Sequence, residues 1–136
     1  MPWTTHLLVV ASRTAESSEL ISYLRERART GPVHVTLVVP LEVGGRDAGR
    51  ERLEGALARL HEIGIEAVGQ VAGDGEPLHA VLEVYDPKRH DEIIVVTLPE
   101  HLSRWLRCDL PHRIAQVTGA LVRHIEVSER RAAVRR

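Results

Sequence analysis

Residues 91–119, DEIIVVTLPEHLSRWLRCDLPHRIAQVTG, form the stretch of sequence that decides the fold. The apolar run at 93–96 predicts a buried strand, and the apolar spacing after Asp109 predicts a helix. The loop between them carries two arginines, a tryptophan and the single cysteine. A strand, a polar loop and a helix N-terminus in this order are where α/β proteins commonly hold ligands. The stretch therefore predicts an α/β fold and a candidate ligand loop.

The remainder of the chain continues the alternation of strands and helices. Strand patterns occur at 6–11, 33–39, 65–71, 93–96 and 121–127. Apolar residues recur at helical spacing between them. The predicted order is β-α-β-α-β-α-β-α-β, and strict alternation implies right-handed crossovers and a parallel sheet. Thr14 is the predicted N-cap of the first helix, and the last helix is predicted to turn Leu110, Ile114 and Val117 inward.

The polarity of the strands predicts their order in the sheet. The first, second and fourth strands are the most apolar, which suits the interior. The third and fifth strands carry polar residues that suit the edges: Glu66, Gln70, Arg123, His124 and Glu126. The order 3-2-1-4-5 follows, in a Rossmann-like α/β fold with helices on both faces. Its switch point lies between strands one and four, flanked by residues 11–13 and 97–99.

The composition limits the class of protein. The 136 residues predict a single domain at 1–127 and a basic, disordered tail at 128–136. The net charge of −1 indicates no general attraction to nucleic acid or membranes. The single cysteine and the lack of a signal-peptide pattern predict a cytoplasmic protein. The eight dispersed histidines predict no metal site.

Several motifs together resemble the universal stress protein family over residues 6–127. They are HLLVVAS in the first strand, VHVTLVVP in the second, Gly73-Asp74-x-x-Pro77, and DEIIVVT in the fourth. A bacterial branch of that superfamily is similar in the combined string TLP, SRWLR and DLPHR between Thr97 and Arg113. The resemblance implies the fold of that family, a role in the stress response, and ATP or another adenine nucleotide as the candidate ligand.

The chain departs from the family's nucleotide-binding pattern. Nucleotide-binding members carry Gly-x2-Gly-x9-Gly-Ser/Thr after the fourth strand, where small residues let backbone amides approach the phosphates. Here no glycine lies between Thr97 and Leu110, and Cys108-Asp109 replaces Gly-Ser. Ala11 replaces the family's acid at the end of the first strand. Asp109, as a helix N-cap, is predicted to occupy the amides that a phosphate would use.

Cationic side chains are the candidate replacement for the glycine loop. Arginine offers bidentate hydrogen bonds to phosphate or carboxylate. The alternative is that the arginines are solvated or pair with Asp109 or Glu100. The predicted ligand-binding residues are Ala11, Ser12, Arg13, Val39, Thr97, Arg104, Arg107, Asp109, His112 and Arg113. No catalytic or metal-ligating residue is assigned.

Two further residues of the loop have alternative interpretations. Trp105 could stack on a base, although anchoring the core of an aromatic-poor protein is the favoured role. Cys108 could be a reactive thiol at a helix N-terminus. The adjacent Asp109 opposes that, so an inert, partly buried cysteine is favoured.

These patterns favour a non-enzymatic, cytosolic module like the universal stress proteins, either free of ligand or binding a nucleotide-like anion at the switch point. One alternative is a nucleotide hydrolase or transferase that uses the same cleft through His112 and the arginines. Another is a purely structural interaction protein. The open edge of the last strand, from Ala120 to Val127, predicts a homodimer. No membrane or nucleic-acid partner is expected.

Overall fold

Strands and helices alternate in the computed structural model, which describes residues 3–42, 45–99 and 102–128. The strands are β1 (Thr5–Val10), β2 (Val33–Pro40), β3 (Glu66–Ala72), β4 (Glu92–Thr97) and β5 (Leu121–Glu126). The helices are α1 (Ser18–Thr30), α2 (Gly45–Glu62), α3 (Pro77–Val84), α4 (Arg104–Arg107) and α5 (Leu110–Thr118). All strand pairs are parallel, in the order β3-β2-β1-β4-β5. The predicted fold class and strand order are confirmed.

The centre of the sheet is buried on both faces. Leu7 and Val9 of β1 pack against the side that carries α1 and α2, whereas Leu8 and Val10 pack against the side of α3 and α5. All four residues have no exposed surface. Because both faces are covered, the strand reads as a continuous apolar run and not as an alternating one. The resulting core is aliphatic, with Trp105 as its large aromatic side chain.

The first helix begins later than predicted, so the assignment of Thr14 as its cap is wrong. Ser17 is the N-cap of α1, and its Oγ accepts a hydrogen bond from the backbone N–H of Leu20 at 3.2 Å. Thr14 instead donates from Oγ1 to the carbonyl oxygen of Val96 at 3.0 Å. This buried bond ties the loop after β1 to the end of β4.

The last helix also differs from the prediction. Leu110 and Ile114 are fully buried as expected, but Val117 is 56% exposed. The stripe that faces the sheet continues at i+4 spacing to the half-buried Thr118, whose Oγ1 donates to the carbonyl oxygen of Ile114 at 2.7 Å. Val117 therefore points away from the core. The loop between β4 and α5, predicted to be irregular, contains the single helical turn α4.

The described part of the chain continues one residue past the predicted domain boundary. Ser128 donates its backbone N–H to Glu19 Oε2 at 2.7 Å, which anchors the end of this segment to α1. The other residues of the predicted disordered tail, 129–136, lie outside the described residues. Among the described helices, none is long and apolar enough to cross a membrane.

Candidate functional site

A cavity of about 310 Å³ opens at the carboxyl ends of β1 and β4. Neighbouring strands leave the sheet toward opposite faces at such a switch point, and the space between their loops is the usual ligand site of open α/β sheets. Its lining residues are Ser12, Arg13, Thr14, Glu42, Arg52, Val96, Thr97, Leu98, Leu102, Ser103, Arg104 and Trp105. The cleft predicted from the strand order is thus present.

Three small hydroxyl residues are among the buried residues that line the cavity. Ser12, Thr97 and Ser103 are each no more than 4% exposed. Ser103 Oγ accepts from the backbone N–H of Leu106 at 3.2 Å and so caps α4. Thr97 Oγ1 is hydrogen-bonded to His124 Nε2 of β5 at 2.7 Å. These bonds fix the Ser103 hydroxyl against α4 and the Thr97 hydroxyl against β5, so this part of the cavity lining has a defined position.

The rim of the cavity is mostly cationic. Arg13 and Arg104 are exposed and form no side-chain hydrogen bond or ion pair with any other described residue. Arg52 of α2 is half-buried and donates from Nη1 to Ser12 Oγ at 3.1 Å. Glu42 is the single acidic residue among the lining residues. Three arginines against one glutamate give the cavity a potential that attracts anions.

Four of the ten predicted site residues line the cavity: Ser12, Arg13, Thr97 and Arg104. Ala11 and Val39 do not line it, since both are fully buried in the core between the sheet and α1 and α2. Ala11 directly follows β1, and Val39 is the second-last residue of β2. Their predicted role was based on their position at the carboxyl ends of the predicted strands, and that position does not decide which way a side chain points.

Arg107, Asp109, His112 and Arg113 are not brought to the cavity. Arg107 ends the single turn α4, is exposed, and is not among the residues that line the cavity. Arg113 Nη1 lies 3.8 Å from Glu76 Oε1, which connects α5 to the start of α3. His112 is exposed on α5. The predicted cationic cluster is therefore divided, because α5 packs beside α3 and carries its own side chains away from the cavity.

Asp109 does not cap α5 as predicted. Its backbone adopts the left-handed conformation with φ 56° and ψ 44°, and its side chain makes no capping hydrogen bond. An N-cap residue normally has an extended backbone, and the left-handed conformation at this position accompanies the missing cap. No arginine of the described ranges pairs with Asp109, and Glu100, the other predicted partner, lies outside those ranges.

Trp105 and Cys108 differ in burial, although both belong to the turn α4 or its C-cap. Trp105 is 7% exposed, packs in the core cluster with Leu110 and also lines the cavity. The core-anchoring interpretation is confirmed, and its ring also forms part of the cavity wall. Cys108 is exposed, so the expectation of a partly buried thiol is wrong. Its Sγ donates weakly to the carbonyl oxygen of Trp105 at 3.5 Å.

Sequence reasoning missed Glu42 and Arg52. Glu42 follows β2, and β2 is adjacent to β1, so its position past the carboxyl end was a usable signal. Arg52 had no such signal, because it lies in the second turn of α2 among several other arginines. Only the packing of α2 against the sheet selects Arg52 for the cavity.

Comparison with known proteins identifies the class of fold. No protein-family model matches the chain, and no curated protein matches it. A solved universal stress protein from Archaeoglobus fulgidus is similar, with 19% identity, coverage of 89% of this chain and 93% of that one, and a TM-score of 0.63. This chain therefore has the α/β fold of the universal stress proteins, as its sequence motifs predicted.

Two solved complexes share this fold. A universal stress protein in complex with cAMP is 15% identical, with coverage of 94% of this chain and 100% of that chain and a TM-score of 0.68. The Archaeoglobus fulgidus protein in complex with dAMP is 18% identical over the same shares, with a TM-score of 0.58. At these identities the similarity shows the fold, and the chemistry of this chain's cavity must come from its own residues.

Proposed function

We propose that this protein is a non-enzymatic, cytosolic module of the universal stress protein type that binds a nucleotide-like anion in the cavity between β1 and β4. The observation that carries the proposal is the cavity itself, which combines three arginines with buried hydroxyl groups in its lining. Its volume of about 310 Å³ falls at the lower end of the range typical of small-molecule sites. A mononucleotide is therefore the preferred size of ligand.

The lining supports both parts of a nucleotide. The guanidinium groups of Arg13 and Arg104 form no hydrogen bond with another residue of the described ranges, and each can donate two parallel hydrogen bonds to a phosphate. Leu98, Leu102 and Trp105 supply an apolar wall against which a base can pack. Arginine side chains would thus replace the backbone amides of the glycine loop that this chain lacks. Structures of the same fold in complex with cAMP and dAMP support the same class of ligand.

A matched pair of arginines on α4 tests the proposal. Arg104 lines the cavity and Arg107, on the same helical turn, does not. Calorimetric titration with AMP is expected to show binding that Arg104→Ala weakens by about tenfold or more, since a charge-assisted hydrogen bond contributes about 1.5–3 kcal/mol. Arg107→Ala is expected to change the affinity by less than about twofold, a general charge effect.

Equal effects of the two substitutions would show that the anion is attracted by overall charge and not held in the cavity. Absence of AMP binding by the unaltered protein at millimolar concentration would overturn the proposal. The enzymatic alternative used His112 together with the arginines, and His112 is exposed on α5 and is not among the cavity-lining residues. We therefore propose binding without turnover.

We also propose that the protein forms a homodimer through its last strand, from Ala120 to Val127. β5 is an edge strand of the sheet, and an unpaired edge is a template for pairing with a second copy. Val117 and Leu121 are each 56% exposed beside this edge. Light scattering at micromolar concentration is expected to give twice the mass of one chain, and Leu121→Asp to shift it toward one chain. A monomeric mass for the unaltered protein would exclude the dimer.

A further inference from the structure

The end of the cavity next to β2 contains a carboxylate of the chain itself. The Ser12 hydroxyl donates a hydrogen bond to Glu42 Oε1. Arg52 Nη1 donates to Ser12 Oγ at 3.1 Å and lies 3.8 Å from the same Glu42 oxygen. A hydroxyl and a guanidinium are the groups with which proteins bind phosphate and carboxylate. One oxygen of Glu42 therefore lies where two anion-binding groups converge.

We propose that Ser12 and Arg52 form an anion subsite, and that Glu42 occupies it until the phosphate group of a ligand displaces the carboxylate. The inference rests on the proposed function of this cavity and adds the residue that controls access to it. The chemical class of the ligand group is a phosphate, either free or as the monoester of a nucleotide. Glu42 is then a competitor of the ligand and not a contact of it.

The geometry of the subsite fits displacement. Ser12 is 4% exposed and lies two residues after β1, next to Ala11, whose backbone N–H donates to the carbonyl oxygen of Val38 in β2 at 3.1 Å. This contact holds the start of the loop against the sheet. Glu42 lies in the connection between β2 and α2, and its side chain is 24% exposed. Its ion pair with Arg52 uses a single oxygen at 3.8 Å, which is longer than a charge-assisted hydrogen bond. Rotation of this side chain into solvent would free both donors without moving a strand.

The negative charge of Glu42 opposes phosphate binding in addition to the space that its carboxylate occupies in the subsite. A carboxylate at the subsite neutralises one of the three arginines and repels an incoming phosphate. Removal of the Glu42 charge should therefore raise the affinity for phosphate in two ways, by opening the subsite and by removing the repulsion. The gain from opening should depend on Arg52, whereas the gain from reduced repulsion should not.

Glu42→Gln is the first variant, measured by calorimetric titration with inorganic phosphate and, separately, with AMP. We expect it to bind about tenfold more tightly than the unaltered protein, because a charge-assisted competitor has been removed. Glu54→Gln is the matched control, since Glu54 is exposed on α2 and does not line the cavity. It should leave the affinity within about twofold. A gain for AMP alone assigns the subsite to a nucleotide phosphate, and a gain for both ligands assigns it to phosphate in general.

Two further variants separate occupancy from general charge. Arg52→Gln added to Glu42→Gln should abolish most of the gain, because the coupling of two contacting residues appears in a double-mutant cycle. Glu42→Asp keeps the charge but withdraws the carboxylate from Ser12, and should give a smaller gain. It also serves where Glu42→Gln does not fold, as judged by circular dichroism.

The outcomes distinguish this inference from the proposed function. Equal or weaker AMP binding by Glu42→Gln and Glu42→Asp would overturn the inference and make Glu42 a neutral wall or a ligand contact. Sensitivity to Arg104→Ala would then still support the proposed function. AMP binding by Glu42→Gln but not by the unaltered protein would support the role of Glu42 as a competitor and overturn the proposed function. Absence of binding by either protein would overturn both.

Discussion

Glu92 and Glu42 lie at opposite ends of the sheet, and each is bound by arginine in a different way. Glu92, at the amino end of β4, accepts two hydrogen bonds from Arg27, at 2.6 and 3.0 Å, and a third from Arg123 at 2.9 Å. Glu42, past the carboxyl end of β2, shares one oxygen between Ser12 and a distant guanidinium. The side chain of Glu92 is 12% exposed and that of Glu42 is 24% exposed.

The difference shows that a glutamate–arginine contact can either connect elements of the fold or occupy a ligand site. The bidentate contact of Glu92 connects α1 to β4, and the Arg123 contact extends it to β5. These hydrogen bonds lower the pKa of the Glu92 carboxyl, with Arg27 as the main cause, and raise the pKa of the Arg27 guanidinium. The amino end therefore uses a carboxylate to hold elements together, whereas the carboxyl end places one where a ligand can replace it.

The largest expected difference is in stability. Glu92→Gln should lower the free energy of unfolding by about 2–3 kcal/mol, because it weakens three hydrogen bonds to charged groups and leaves Arg27 poorly paired. Glu42→Gln should lower it by less than about 1 kcal/mol, since that pair is longer and more exposed. Urea denaturation at pH 7 measures both. Equal losses would mean that Glu42 is also a structural residue, which would contradict the comparison.

A smaller effect on stability is expected from the titration of His90, which precedes the amino end of β4. His90 is 8% exposed, and its pKa is lowered chiefly by burial and also by the nearby Arg89 and His6, while Asp86 opposes these effects. The unfolded state therefore binds more protons than the fold below pH ~6.5, and the contribution of this residue to stability is lost as the pH falls from ~6.5 through the folded pKa.

His90→Asn should reduce this loss. The ring Nδ1 accepts from the backbone N–H of Asp86 at 2.9 Å, and an asparagine oxygen can accept the same bond without titrating. Melting temperatures between pH 7.5 and 5 should fall less steeply for His90→Asn than for the unaltered protein. His112→Asn, at an exposed position, is the control and should leave the slope unchanged. An unchanged slope for both variants would rule out His90 as the source.

The smallest effect is expected at Asp109, beside the cavity end of the molecule. This residue has φ 56° and gains no capping bond from its side chain. Asp109→Gly should raise the free energy of unfolding by about 0.5–1 kcal/mol, because glycine adopts the left-handed conformation without a Cβ clash. Asp109→Ala should lower it by a similar amount, which thermal denaturation can measure. Destabilisation by both substitutions would mean that the carboxylate makes a contact of its own.

The strand order was predictable because the polarity of each strand's residues indicates how deeply that strand is buried. The continuous apolar runs of β1 and β4 mark strands covered on both faces, and the polar residues of β3 and β5 mark edges. The predicted boundaries agree with the observed strands within one residue at each end. The start of α1 was not predictable in the same way, because Thr14 and Ser17 both fit a cap and a contact with Val96 across the sheet selects Ser17.

The candidate site was predictable in position and only partly in composition. Parallel strand order alone placed Ser12, Arg13 and Thr97 at the switch point, since every carboxyl end lies at the same edge of the sheet. The four cationic residues near α4 and α5 looked equivalent in sequence. In the structure only Arg104 of these four lines the cavity, and His112 and Arg113 belong to α5, which packs beside α3.

The sequence by itself determined that this chain forms a parallel α/β sheet with the universal stress protein order, and that any ligand cleft lies between strands one and four. Those properties follow from hydrophobic periodicity, which each segment carries locally. Only the tertiary structure decided that Glu42 and Arg52 meet Ser12 in that cleft. They come from the loop after β2, the helix α2 and the loop after β1, and their meeting depends on how α2 packs against the sheet, which no local pattern records.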